Sequence, residues 1–161
     1  HAAAIRLDAP TANWFRKGAA ILIETSTKGF SGKALSLDFT WCAGDRKFEE
    51  CFGYPAHWKV AYSVDGRNFM PVAKTFVLRP QTYEKTSLSY FAAPGFVENI
   101  LTLPAFLLGQ EKLFIRIYPA DDTVTEKHFD PAADINTGHF TPEFQGQTVL
   151  CIGKVSLKSL K

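Results

Sequence analysis

Residues 57–78, HWKVAYSVDGRNFMPVAKTFVL, restrict the fold more than any other part of the chain. Trp58, Val60, Tyr62 and Val64 share one parity, and His57, Lys59, Ala61, Ser63 and Asp65 share the other. Successive side chains of an extended backbone point to opposite faces, so this alternation describes a strand with one buried and one wet face. Asp65-Gly66 then offers a pair that tolerates positive φ, as a tight hairpin turn requires. Met70, Val72, Phe76 and Leu78 resume the pattern on the far side. A β-hairpin packed on a core is expected, with Trp58 in that core.

The same pattern recurs along the chain. Leu35, Leu37, Phe39 and Trp41 alternate with Ala34, Ser36, Asp38 and Thr40, and Leu113, Ile115 and Ile117 do so around Arg116. Further strands are expected at 19–25, 86–91, 96–103 and 149–157, the last with Val155 and Leu157 opposed to Lys154, Ser156 and Lys158. Pro104 and Gly109 frame one short helical connector. Fourteen Phe against a single Met also favour strands over helices. The expected architecture is all-β, an antiparallel β-sandwich with one short helix. Residues 1–161 are expected to form a single domain. The start HAAAIRLDAP, with no initiator Met and no signal-peptide core, reads as a segment excised from a larger protein.

Charge and hydropathy narrow the partners. Eighteen basic and 16 acidic residues give a net charge of +2, and the cations are scattered singly, so no basic stripe points to nucleic acid. No apolar run approaches the roughly 18 residues that span a bilayer. Cysteine leaves the state open: three single pairings are possible and the sequence does not choose among them. A Cys42–Cys51 bridge is geometrically plausible, and three reduced thiols, with Cys151 as a small buried residue, are the alternative.

One connection is irregular. Residues 119–147, PADDTVTEKHFDPAADINTGHFTPEFQGQ, lack periodicity, and the usual loop runs only about 4 to 6 residues. Long loops of this kind commonly carry function. Glu126, His128, Asp130, Asp134 and His139 fall within it. Such donors could hold a transition metal or calcium, but their spacing follows no tight metal motif, so no cofactor is expected.

Catalytic constellations are not legible. Glu49-Glu50 and Asp121-Asp122 are sequence neighbours. Glycosidase carboxylates must face each other across a bond, roughly 5 to 10 Å apart. Neighbours on an extended chain diverge, so neither pair suffices alone. No G-x-S-x-G elbow is present, and His57 reads as a surface residue. A non-enzymatic role is expected.

The hairpin WKVAYSVDGRNF at 58–69 resembles that of galactose-binding-like β-sandwich domains, a group that includes discoidin or coagulation-factor type C domains and many carbohydrate-binding modules. LPAFLLGQEKLFIRIYPA at 103–120, the long polar loop and GKVSL at 153–157 fit the same likeness, which spans residues 19–157. Gly153-Lys154 stands where the family has an acidic residue, against a structural cation there. The resemblance implies a jelly-roll sandwich, a glycan ligand bound without covalent chemistry, neighbouring domains in a parent protein, and a secreted or cell-surface, extracytoplasmic location, often bacterial.

Sugar rings present an apolar face that stacks on exposed aromatics, and their hydroxyls pair with polar side chains. Trp14, Trp41, Tyr54 and Phe129 lie outside clear strand interiors and, with Arg46 and Asp121, form the expected ligand-binding set. The rival expectation is a structural or protein-interaction domain of a surface protein, which burial of Trp14, Trp41 and Phe129 would favour.

Overall fold

Two four-stranded antiparallel sheets pack their apolar faces into one core, in a computed structural model that describes residues 5–43, 53–78, 83–86, 89–92, 97–125 and 137–161. In chain order the elements are β1 (Ile5–Pro10), α1 (Thr11–Arg16), β2 (Ile21–Thr25), β3 (Ala34–Ala43), β4 (His57–Ser63) and β5 (Met70–Val77). They continue with β6 (Tyr83–Thr86), β7 (Ser89–Ala92), β8 (Val97–Leu103), a 3₁₀ turn (Ala105–Leu107), β9 (Leu113–Pro119), β10 (Thr123–Thr125), β11 (Thr137–His139) and β12 (Gln147–Leu160). One sheet is ordered β1-β12-β3-β8 and the other β2-β9-β4-β5, while β6-β7 and β10-β11 form separate two-stranded ribbons.

Alternation sets which side chains meet. Leu35, Leu37, Phe39 and Trp41 of β3 and Leu101 and Leu103 of β8 face Trp58, Val60, Tyr62, Ile115 and Ile117 of the opposite sheet. The sheets engage through aromatic edges. Trp41 meets Trp58 at 5.6 Å between centroids and 69°, and Phe39 meets Phe76 at 5.5 Å and 60°. Edge-to-face pairs at such distances add about 0.5–1.5 kcal/mol each beyond the area they bury.

Several local expectations change. The β4–β5 link is the longer connection 64–69 rather than a two-residue turn. Asp65 organises it: its Oδ1 accepts from the backbone N–H groups of Arg67 and Asn68, both at 2.8 Å, and its Oδ2 accepts from Asn68 Nδ2 at 2.7 Å. Gly66 takes φ +72° there. Beyond the strand end Val64 is exposed, and so is Met70 on the edge strand β5. In place of one strand at 86–91 there is the β6–β7 ribbon. In β12 the register slips between Ile152, opposite Trp41, and Val155, opposite Phe39. That bulge at Gly153-Lys154 shifts the parity, so that Val155 and Leu157 stand opposite Phe39 and Leu37; Leu157 packs against the core, while Val155 stays exposed.

A second helix was not legible in the sequence. α1 spans six residues after Pro10 and lacks a side-chain cap, so its stability comes from docking Thr11 and Trp14 rather than from propensity. The hydroxyls of Thr11 and Thr148, both fully buried, bond at 2.9 Å.

Candidate functional site

Helix α1 and the end of β9 together wall a cleft of about 240 Å³ that includes Trp14, Phe15, Arg116, Tyr118 and Asp121. The volume lies just below the ~300–1,000 Å³ usual for small-molecule sites. Each wall follows from local structure. The short α1 helix directs Trp14 inward, where it meets Trp58 edge-on at 5.0 Å and 74°. Its neighbour Phe15 is therefore left half-buried at the surface. In β9, Ile115 and Ile117 face the core, so Arg116 and Tyr118 face outward. The Arg116 guanidinium lies over the Tyr118 ring, 5.1 Å from its centroid, which holds the cation at the cleft wall.

Asp121 completes the polar side. His57 Nδ1 donates to its Oδ2 at 3.0 Å, and the Thr123 backbone N–H donates to its Oδ1 at 2.9 Å. Partial burial pushes the Asp121 carboxyl up, but the hydrogen bonds from His57 and Thr123 outweigh it, and the net shift is downward. Asp122 turns the other way and pairs with His139 Nδ1 at 3.1 Å. The adjacent carboxylates thus diverge, each to a different imidazole, and do not form a facing acid pair.

An aromatic surface adjoins the cleft. Phe15 stacks on Phe140 at 4.6 Å and 26°, and Phe140 meets Phe144 at 5.9 Å and 61°. Arg16 covers Phe140 at 5.7 Å and donates to the Pro142 carbonyl. Gly53 makes room for this cluster: at φ +59° a Cβ there would come within 2.5 Å of the Phe144 ring.

The expected ligand set divides. Trp41 has no exposed surface, Trp14 retains 7% and Tyr54 retains 3%, so none offers a free ring face to a sugar. Trp41 does not end its strand, because β3 runs on to Ala43 with Trp41 in the inward register. Asp121 and an edge of Trp14 do line the cleft. Arg46 and Phe129 lie outside the described residues, as do Cys51, Glu49-Glu50, Glu126, His128, Asp130 and Asp134. Among the described residues no group of three His, Cys, Asp or Glu side chains is placed to hold a metal ion. Phe15, Arg116, Tyr118, Phe140 and Phe144 were missed. The signal for Arg116 and Tyr118 is their outward parity in KLFIRIY; Phe15 stands beside the candidate Trp14, and Phe140 and Phe144 lie in the irregular connection 119–147, but nothing singles them out within it.

No described helix is long and apolar enough to cross a membrane. Neither family models, curated proteins nor solved structures match this chain.

Proposed function

We propose that this chain is a non-catalytic β-sandwich module of an extracytoplasmic protein that binds carbohydrate at the α1–β9 cleft. The observation supporting this is the convergence there of a cation, a carboxylate and two outward aromatic rings: Arg116, Asp121, Tyr118 and Phe15. Ring faces suit the apolar side of a pyranose, while the guanidinium and carboxylate suit its hydroxyls. The β4–β5 hairpin's likeness to galactose-binding-like domains points the same way, as does the size of the cleft, which suits a terminal sugar residue rather than a long chain.

A glycan array probed with the purified protein, with and without calcium, tests this. The expected result is binding that is lost in Arg116→Ala and Asp121→Ala and retained in Lys112→Ala, a surface change outside the cleft. A blank array from folded protein overturns it. That outcome would favour a structural or protein-interaction domain, for which Trp14 and Trp41 are buried as that reading asks and Phe129 lies outside the described residues.

A further inference from the structure

Cys42 of β3 and Cys151 of β12 are direct cross-strand partners in the antiparallel ladder. They occupy the face of the sheet opposite the main core, since their neighbours Trp41, Ala43, Leu150 and Ile152 point into that core. With Val149 they form a separate small buried cluster, Cys42 fully buried and Cys151 at 8% exposure. Opposed residues in antiparallel strands have Cα atoms about 4.5 or 5.5 Å apart, depending on the pair type. Both spacings fall within the ~4.4–6.8 Å that a disulfide bridges, and opposed side chains share a face.

We propose that Cys42 and Cys151 form a cross-strand disulfide that clamps β3 to β12 under oxidising conditions. A small-molecule disulfide is the oxidant. The Cys151 thiolate, the more exposed of the two, attacks it and forms a mixed disulfide, releasing one thiolate. Cys42, deprotonated, then attacks the Cys151 sulfur and releases the second. The protein loses two protons and two electrons, and the oxidant becomes two thiols. The bond closes most of the chain into a loop, the case in which a crosslink restricts the unfolded state most. It also joins strands that already pair, so little native movement is needed. Oxidising compartments are where such a bond persists.

The test is to refold the full chain in glutathione redox buffer, alkylate it, and map disulfide-linked peptides by mass spectrometry. All pairings are open in the unfolded chain, so the fold selects the product. The expected result is a Cys42–Cys151 linkage, kept in Cys51→Ser, with a melting temperature about 10 °C above that of the dithiothreitol-reduced protein. A Cys42–Cys51 linkage, or full alkylation of both residues after unfolding, overturns the proposal.

Discussion

Trp41 and Trp58 are both fully buried and touch edge to face, yet their indole nitrogens differ. Trp58 Nε1 donates to the Pro55 carbonyl at 2.8 Å, whereas Trp41 Nε1 is buried with no hydrogen-bond partner among the described residues. Replacing either by Phe removes similar ring volume, but only Trp58→Phe strands a carbonyl. Denaturant unfolding should therefore show Trp58→Phe less stable than Trp41→Phe by about 1–3 kcal/mol. Equal losses would mean that the Pro55 bond contributes nothing net. The glycines allow a similar comparison. Gly66 and Gly109 hold φ of +72° and +73°, but a Cβ at Gly66 would meet the Phe114 ring at 3.1 Å, and one at Gly109 would meet nothing within 4 Å. Gly109→Ala should cost the backbone term alone, about 1–2 kcal/mol, and Gly66→Ala should cost more by chemical denaturation. The sequence shows some of this and hides the rest. Trp58 and Trp41 each share parity with aliphatic neighbours, so both burials follow from alternation once β3 is seen to continue to Ala43. The burial of Trp14 does not follow, because it depends on α1 folding back onto β4, a contact between distant parts of the chain.

At the scale of elements, side chains fasten what backbone ladders leave loose. Thr27 is fully buried between β2 and β3; its hydroxyl donates to the Leu107 carbonyl and accepts from the Gln110 N–H at 3.0 Å. Thr27→Val keeps the shape but orphans both groups, so thermal or urea unfolding should show a loss of about 1–3 kcal/mol. A second fastening joins β3 to β12. Lys158 donates to Asp38, as does Ser36, and these bonds hold the Asp38 carboxyl below its usual range, while the bond to Asp38 raises Lys158. The depressed carboxyl stabilises above its unfolded value of about 4 and stops doing so as pH falls through its folded value. The raised amine stabilises below about 10.4 and stops as pH rises through its own folded value. The melting temperature of wild type minus that of Asp38→Asn should be largest between these limits and should shrink at both ends. A difference independent of pH would assign the contribution to shape instead. Which elements were legible follows from the same physics. β8 and β9 bury one face, and β3 and β4, though largely buried on both, keep their large apolar residues on one, so all four write their period into the sequence. β10 and β11 are three residues each and too short to show one. β12 carries a bulge that interrupts its own parity. The cleft was still less legible, because its walls come from α1 and β9, far apart in the chain.

At the scale of the molecule, the three tryptophans report on all of its main layers. Trp41 belongs to β3 in one sheet, Trp58 to β4 in the other, and Trp14 to the helix that closes one end, and edge contacts run from Trp14 to Trp58 to Trp41. The same cluster takes in Leu35, Leu103, Ile115 and Leu150, so side chains of both sheets share one apolar interior. Neither sheet can expose its inner face without exposing the other's, and such coupling makes unfolding cooperative. Tryptophan fluorescence, which follows the inter-sheet core, and far-UV circular dichroism, which follows the ladders, should therefore give coincident denaturant transitions. Native emission should lie to the blue of the unfolded chain, as buried indoles require. Calorimetry should return an unfolding enthalpy of about 110 kcal/mol near 60 °C, equal to the van't Hoff value, for one cooperative unit of this length. If fluorescence moved first, with the ladders persisting, the sheets would be separable layers and the aromatic contacts a late addition to them. Were the two enthalpies unequal with coincident midpoints, part of the chain would be unfolding outside the shared core.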